Sequence, residues 1–224
     1  MVDALLLEWE GVLADTRAAR RDALVRALAV EGVASTAQLC DICSHGWGVR
    51  AAATAALRHA GIIDHVLSDL VALRAERAFL AAMSGGILLA PGAAAFVAEA
   101  QQSTRVAIAT RAGRAETDLL LRLSGLDAAI ATVVAAEDDV SVALYQRALE
   151  QLGRVRAVSP QSAALLADAP EAFRAARAAG LRTLAVGAPA HEAMEADAAV
   201  ASLEGLSMKE LERLLVPART EPLA

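Results

Sequence analysis

The sequence predicts an α/β protein built on a doubly wound parallel sheet, with an all-helical insertion after its first strand. Residues 5–7 form an apolar run without a polar face, which is typical of a strand covered by helices on both sides. Residues 16–84 show only helical periodicity, whereas from residue 85 onward strand patterns alternate with helical ones, as parallel strands joined by right-handed crossovers require. We therefore assign residues 1–15 and 85–224 to an α/β core domain and residues 16–84 to a helical domain.

The elements of the insertion follow from apolar residues at helical spacing and from the glycines that close the helices. The predicted helices span residues 18–30, 49–60 and 63–82. Four arginines stand between the apolar positions of the first helix or just before them: Arg17, Arg20, Arg21 and Arg26.

In the core domain, short apolar runs separate helical patterns that again end at glycine. Strands are predicted at residues 105–110, 132–136, 163–168, 183–186 and 197–202. Helices are predicted at residues 91–102, 116–123, 143–152 and 170–179, with a last helix around Lys209. We expect the first strand to lie near the centre of the sheet, with Thr110 and Asp168 at the ends of the flanking strands.

Composition narrows the class of partner. The net charge is −6 and the chain has no basic run, which argues against a nucleic acid or an anionic membrane surface and favours a small molecule. No apolar stretch approaches the ~20 residues that span a bilayer, and the N-terminus lacks the pattern of a signal peptide. We therefore expect a soluble, cytoplasmic protein. The sequence assigns no oligomeric state.

Acidic side chains follow the first strand. Glu8 and Glu10 stand two positions apart, and Gly11 then allows a sharp turn. Open α/β sheets bind their ligands at the carboxyl ends of the strands, so this is where chemistry is expected. Two interpretations remain open, a working acid pair and a pair of solvated glutamates at a strand end.

Several motifs in order along the chain carry a family resemblance. They are the turn with Gly11-Val12-Leu13 and Asp15-Thr16, the return at Leu88-Leu89-Ala90-Pro91-Gly92, the strand ending at Thr110, and Ala167-Asp168 followed by Ala178-Ala179-Gly180. Together they resemble the haloacid dehalogenase-like hydrolases, in the branch of phosphoglycolate phosphatase and β-phosphoglucomutase. The resemblance implies a Rossmann-like core and makes residues 16–84 the helical cap domain.

The resemblance implies that Glu8 is the nucleophile and Glu10 the general acid/base, although the family has Asp at both positions. Each carboxylate here is carried on one more methylene, and a misplacement of about 1 Å can cost about 100-fold in rate. The family's phosphate-neutralising Lys is absent, since Lys209 is the one lysine of the chain. The segment at residues 137–145 is short and acidic where the family is basic.

For the phosphate group, the resemblance implies Thr110, which matches the family's Ser or Thr hydroxyl. Arg111 follows it at the start of a helix, where backbone N–H groups favour an anion, and is the first candidate to replace the Lys. The alternative for Thr110 is an ordinary helix N-cap.

For the metal, the resemblance implies Mg²⁺ held by Glu8, the backbone carbonyl of Glu10 and Asp168. Ala167 stands where the family has an acidic residue or glycine, so few oxygen ligands are left for near-octahedral geometry. We therefore predict a weak Mg²⁺ site.

In the cap, the segment His45-Gly46-Trp47-Gly48-Val49-Arg50 resembles the family's substrate-specificity loop. Arg50 would meet an anionic group of the substrate and Trp47 would pack over it; the alternative is a surface loop with a buried Trp. Cys40 and Cys43 form a lone C-x-x-C. Without a second cysteine pair, two thiols on one helix face are favoured over a redox pair or half a zinc site.

Two functions remain open. The first is a degenerate phosphoryl-transfer site with impaired or absent phosphatase activity that still binds a small anionic ligand. The second is a working Mg²⁺-dependent phosphatase or mutase for a small phosphorylated metabolite, with Glu8 as nucleophile. The missing Lys removes a separate electrostatic contribution from the site, so we favour the first.

Overall fold

The structure is a computed structural model that describes residues 1–34, 36, 38–39, 48–135 and 142–215. The strands in this part of the chain are β1 Ala4–Leu7, β2 Arg105–Thr110, β3 Thr132–Ala135, β4 Ala163–Ala167, β5 Arg182–Val186 and β6 Ala198–Val200. They form one parallel sheet in the order β3-β2-β1-β4-β5-β6. The strand order winds outward from β1 in both directions, which confirms the predicted doubly wound α/β fold and the central place of the first strand.

The helices of the described residues are α1 Arg17–Val30, α2 Val49–His59, α3 His65–Met83, α4 Ala93–Ala100, α5 Arg114–Ser124, α6 Val142–Leu152, α7 Pro170–Ala178, α8 Ala190–Ala193 and α9 Met208–Leu215. The helices and strands predicted from the sequence end within two residues of those observed. The sequence pattern missed α8, because a helix of four residues is too short to show a periodicity.

Two helical layers cover the sheet, because successive side chains of β1 point to opposite faces. Leu6 packs among apolar residues of α6 and α7, such as Leu144 and Phe173. Leu5 faces the other layer, where Phe96 of α4 and Leu120 of α5 belong to its apolar cluster. The strand is buried on both faces, as its apolar run predicted.

The helical region between β1 and β2 packs α1 and α2 against α3, and its apolar residues continue the cluster of one face of the sheet. Gly48 at the start of α2 touches the core just beyond β2, since a Cβ at this position would lie 3.1 Å from Ala112 Cα. The helical region therefore contacts the core beside the carboxyl ends of the strands.

Some predictions fall outside the described residues. These concern Cys40, Cys43 and Trp47, and the acidic segment that follows β3. Among the helices that the structure describes, none combines the length and the hydrophobicity that crossing a bilayer requires.

Candidate active site

The carboxyl ends of the three central strands meet at one cavity of about 480 Å³. β1 pairs with β2 on one side and with β4 on the other, so the residues that follow these strands come to the same edge of the sheet. The cavity is lined by all the core-domain residues that the sequence indicated, namely Glu8, Glu10, Thr110, Arg111 and Asp168. It is also lined by Arg17, which the sequence analysis did not assign to the site.

Glu8 is buried in the cavity wall, with 8% of its surface exposed. Its Oε1 accepts a hydrogen bond from the Tyr145 hydroxyl at 3.3 Å. Burial raises the pKa of Glu8 from 4.5 to about 8, against the opposing effect of the Arg111 guanidinium. At neutral pH this carboxyl is therefore mostly protonated, whereas attack on phosphorus requires the carboxylate.

Tyr145 is a residue of the site that the sequence analysis missed. It lies on α6, is fully buried, and burial followed by the Glu8 charge raises the pKa of its hydroxyl well above 10. A buried tyrosine needs a partner for its hydroxyl, and Glu8 is that partner here. It is the one tyrosine of the chain and lies in the first turn of the helix after the third strand, a signal that could have pointed to the site.

The carboxylate of Glu10 is engaged by residues of α1 and its N-cap. Its oxygens accept hydrogen bonds from the Thr16 N–H at 3.0 Å, from the Thr16 hydroxyl, and from Arg20 Nε at 3.1 Å. Arg20 also forms an ion pair with Glu116 of α5 and lies 4.4 Å from the ring centre of Phe79 in α3. The side chain for which the resemblance implied a general acid/base role is thus part of a buried ionic cluster.

The sequence did not indicate the burial of Arg20, which stands between apolar positions of the helix like the arginines near it. Only 3% of Arg20 is exposed, because carboxylates of the core, from Glu10 and Glu116, compensate its charge. Helical spacing alone does not separate a buried arginine from its exposed neighbours, since the partners come from distant parts of the chain.

Asp168 faces Arg17 across the cavity mouth, with Arg17 Nη1 donating to Asp168 Oδ2 at 3.4 Å. Burial raises the pKa of Asp168 from 3.8 to about 6, and the Arg17 charge opposes this rise. Arg17 also donates to Asp15 through Nε at 2.9 Å and Nη2 at 3.0 Å. The guanidinium is therefore shared between the two carboxylates.

Gly11 makes room for Asp168, because a Cβ at position 11 would lie 1.8 Å from Asp168 Oδ2. Its backbone has φ +74°, a left-handed conformation that costs other residues about 1–2 kcal/mol. Gly32 has φ +72° with nothing near its missing Cβ, so it provides a matched control for the backbone effect alone.

We expect Gly11→Ala to lower the free energy of unfolding by about 1–2 kcal/mol more than Gly32→Ala does, because the added methyl must displace Asp168. Urea denaturation of the two variants measures this difference. Equal losses in both variants would mean that Asp168 moves aside without cost and that its position at the cavity is not fixed.

Thr110 is the last residue of β2, and its hydroxyl accepts a hydrogen bond from the backbone N–H of Ala112 at 3.1 Å. The alternative of a helix N-cap is wrong, because the N-cap of α5 is Gly113. Arg111 lies mostly buried beside it and donates through Nη2 to Glu171 Oε1 at 3.3 Å. A hydroxyl and a guanidinium from adjacent residues therefore line the same cavity as Arg17.

Arg50 is not brought into this cavity. Its Nη1 pairs with Asp69 at 3.1 Å, and both side chains are exposed. Both line a second cavity of about 1180 Å³, between α2, α3 and the start of α5. A role for Arg50 toward a substrate stays a prediction.

As arranged, the carboxylates do not fit a divalent cation. Within the part of the chain that the structure describes, no three His, Cys, Asp or Glu side chains come together as a metal site. Of the two side chains predicted as ligands, Glu8 accepts a hydrogen bond from Tyr145 and Asp168 accepts one from the guanidinium of Arg17. Mg²⁺ requires several oxygen ligands in near-octahedral geometry, and the positive charge of Arg17 beside Asp168 would repel the metal ion.

Comparison with known proteins gives similarity at the level of structure. No protein-family model matches the sequence, and no curated protein matches it. CbbY from Rhodobacter sphaeroides, in complex with phosphate, is 26% identical and matches 95% of this chain and 100% of its own with a TM-score of 0.80. A mutant of CbbY in complex with xylulose-(1,5)bisphosphate matches 94% and 99% at the same identity, with a TM-score of 0.78.

Two further similar structures have lower identity. β-Phosphoglucomutase from Clostridium difficile is 13% identical over 96% of this chain and 97% of its own, with a TM-score of 0.83. YfnB from Bacillus subtilis, bound to magnesium, is 18% identical over 96% and 98%, with a TM-score of 0.67. The fold is that of the haloacid dehalogenase-like phosphatases and mutases, which confirms the resemblance to the phosphoglycolate phosphatase and β-phosphoglucomutase branch.

Proposed function

We propose that this chain is a haloacid dehalogenase-like protein, with residues 16–84 as its cap, that binds a small phosphorylated or anionic metabolite and has impaired or absent phosphatase activity. The observation that carries the proposal is the environment of Glu10. At the position of the general acid/base, its carboxylate accepts hydrogen bonds from Thr16 and Arg20 inside a buried cluster. A carboxylate fixed in this way is not free to carry a proton to a leaving group.

The nucleophile position supports the same conclusion. Glu8 is buried and hydrogen-bonded to Tyr145, and its extra methylene changes the distance to a phosphorus atom held by Thr110. In-line attack tolerates little displacement. Two glutamates in place of aspartates thus affect separate parts of the reaction, nucleophilic attack and proton transfer.

The binding part of the proposal is supported by the other wall of the cavity. The Thr110 hydroxyl and the Arg111 guanidinium are groups that bind phosphate oxygens, and Arg17 lines the same cavity. A cavity of about 480 Å³ has the size of a small-molecule site. CbbY, which has the same fold, is described in complex with phosphate and with xylulose-(1,5)bisphosphate.

Hydrolysis of an aryl phosphate in the presence of Mg²⁺ tests the catalytic part. We expect the purified protein to give a rate near background, and Glu8→Gln to give the same rate, because the wild-type site does not support attack. The measurement is release of the phenol product over time at neutral pH. A turnover of about 1 per second that is lost in Glu8→Gln would overturn the proposal and support a working phosphatase or mutase.

A further inference from the structure

The guanidinium of Arg17 lies at the mouth of the cavity between two carboxylates. Nε and Nη2 donate to Asp15, and Nη1 points to Asp168. Asp15 thus holds one edge of the planar fork and directs the remaining nitrogen toward the cavity. Arg17 follows Thr16 at the start of α1, so the backbone that positions it is also tied to Glu10.

The Arg17 guanidinium beside Asp168 changes which ligand the cavity can bind. A divalent ion placed at this carboxylate would lie beside a positive charge and would have to displace it. Of the two carboxyl groups that follow the first strand, Glu8 accepts a hydrogen bond from Tyr145 and Glu10 is turned to Arg20. The groups of the cavity wall that can bind an oxyanion are the Thr110 hydroxyl and the guanidinium groups of Arg17, Arg111 and Arg174. Arg174 is paired with Glu195 at 2.6 Å, which leaves Arg17 and Arg111.

We propose that Arg17, together with Arg111, supplies the positive charge of this cavity in place of a metal ion, so that it binds the phosphate group of its ligand without a divalent cation. The inference rests on the proposed function, since it assumes an anionic ligand in this cavity. A guanidinium offers paired N–H donors that match the oxygens of a phosphate group, and it carries its charge at every pH that the fold tolerates.

The two arginines stand on different elements. Arg17 comes from α1 and Arg111 follows β2, yet both line the same cavity. Arg17 is paired with Asp15 and Asp168, and Arg111 is paired with Glu171. A phosphate group between them would accept hydrogen bonds from both, while the carboxylates keep the guanidinium groups in place before the ligand arrives.

Calorimetric titration with inorganic phosphate, in EDTA and in excess Mg²⁺, tests the inference. We expect the wild type to bind phosphate with the same affinity in both buffers, and to give no binding heat when titrated with Mg²⁺ alone. Arg17→Gln should weaken phosphate binding in EDTA by about 10-fold or more, the size of one lost charge-assisted hydrogen bond. With Asp168 then free of its cation, the variant should bind Mg²⁺, and Mg²⁺ should restore phosphate affinity.

Two further variants keep the test interpretable. Arg17→Lys retains the charge and should keep more of the metal-independent binding than Arg17→Gln does. Arg21→Ala on the same helix, where the arginine is exposed and pairs with Asp22, should bind phosphate like the wild type. Circular dichroism confirms that each variant is folded.

The outcomes separate this inference from the proposed function. If the wild type binds phosphate only with Mg²⁺, Arg17 does not replace the metal, whereas anion binding in the cavity stands. If the wild type binds no phosphate in either buffer, the binding part of the proposed function fails and the inference fails with it. Equal affinities of Arg17→Gln and the wild type in EDTA overturn the role of Arg17 alone.

Discussion

Replacing Arg20 with methionine is expected to lower the free energy of unfolding by about 3–5 kcal/mol, the usual cost of removing one partner from a buried ion pair. The change leaves the carboxylates of Glu10 and Glu116 buried, close together and without a cation. It also removes the contact of the guanidinium with the Phe79 ring. Because Arg20 joins a helix of the insertion to the core, the loss should affect the whole fold. Urea denaturation at neutral pH measures it.

Matched variants show whether charge is the cause. Arg21→Met changes the neighbouring exposed arginine and is expected to cost less than about 0.5 kcal/mol. Adding Glu10→Gln and Glu116→Gln to Arg20→Met should recover at least half of the loss, since neutral groups of similar shape often replace a buried ionic cluster at little cost. A loss no larger than that of Arg21→Met would show that the cluster does not stabilise the fold.

The fold could be predicted from the sequence because its signals are local. The buried strands are short apolar runs, and glycines mark where helices end, so each element is identified within a few residues of chain. β2 is predicted and observed at residues 105–110. The order of elements then leaves few topologies, since parallel strands need crossovers of one hand.

The location of the site could also be predicted, because the carboxyl ends of neighbouring parallel strands meet at one edge. That rule places Glu8, Thr110 and Asp168 together without any knowledge of side-chain contacts. The rule does not identify the hydrogen-bond and ion-pair partners that determine the protonation of these side chains and what they can bind. Tyr145 is 137 positions from Glu8, and Arg17 is 151 positions from Asp168, so no local pattern links them.

Charge pairing was the hardest feature to predict. The sequence suggested Arg111 as the replacement for a missing lysine, and this residue does line the cavity. Arg17 and Arg20 gave the same pattern in the sequence, although one faces the cavity and the other is buried in the cluster with Glu10. Which carboxylate each arginine meets depends on how α1 packs against the core, and helical periodicity carries no such information.

Glu8 should make the stability of the protein depend on pH. Its pKa is about 8 in the folded protein and 4.5 when exposed, so the folded state keeps a proton that the unfolded state releases over this range. The contribution of Glu8 to the free energy of unfolding should therefore be largest below about pH 4.5 and should decrease as pH rises to about 8. Asp168 should lower the free energy of unfolding in the same way as pH rises from 3.8 to about 6.

Glu8→Gln should remove this dependence of stability on pH, because glutamine stays neutral at every pH and can still accept a hydrogen bond from the Tyr145 hydroxyl. We expect the variant and the wild type to unfold with similar free energies below pH 4.5, and the variant to become more stable by up to about 5 kcal/mol near pH 9, which corresponds to the pKa change from 4.5 to about 8. Urea denaturation at several pH values measures the difference, with the exposed Glu204→Gln as the control that should follow the wild type. A constant difference between Glu8→Gln and the wild type across this range would mean that Glu8 is ionised in the folded protein, and that the carboxylate needed for attack on phosphorus is present at neutral pH.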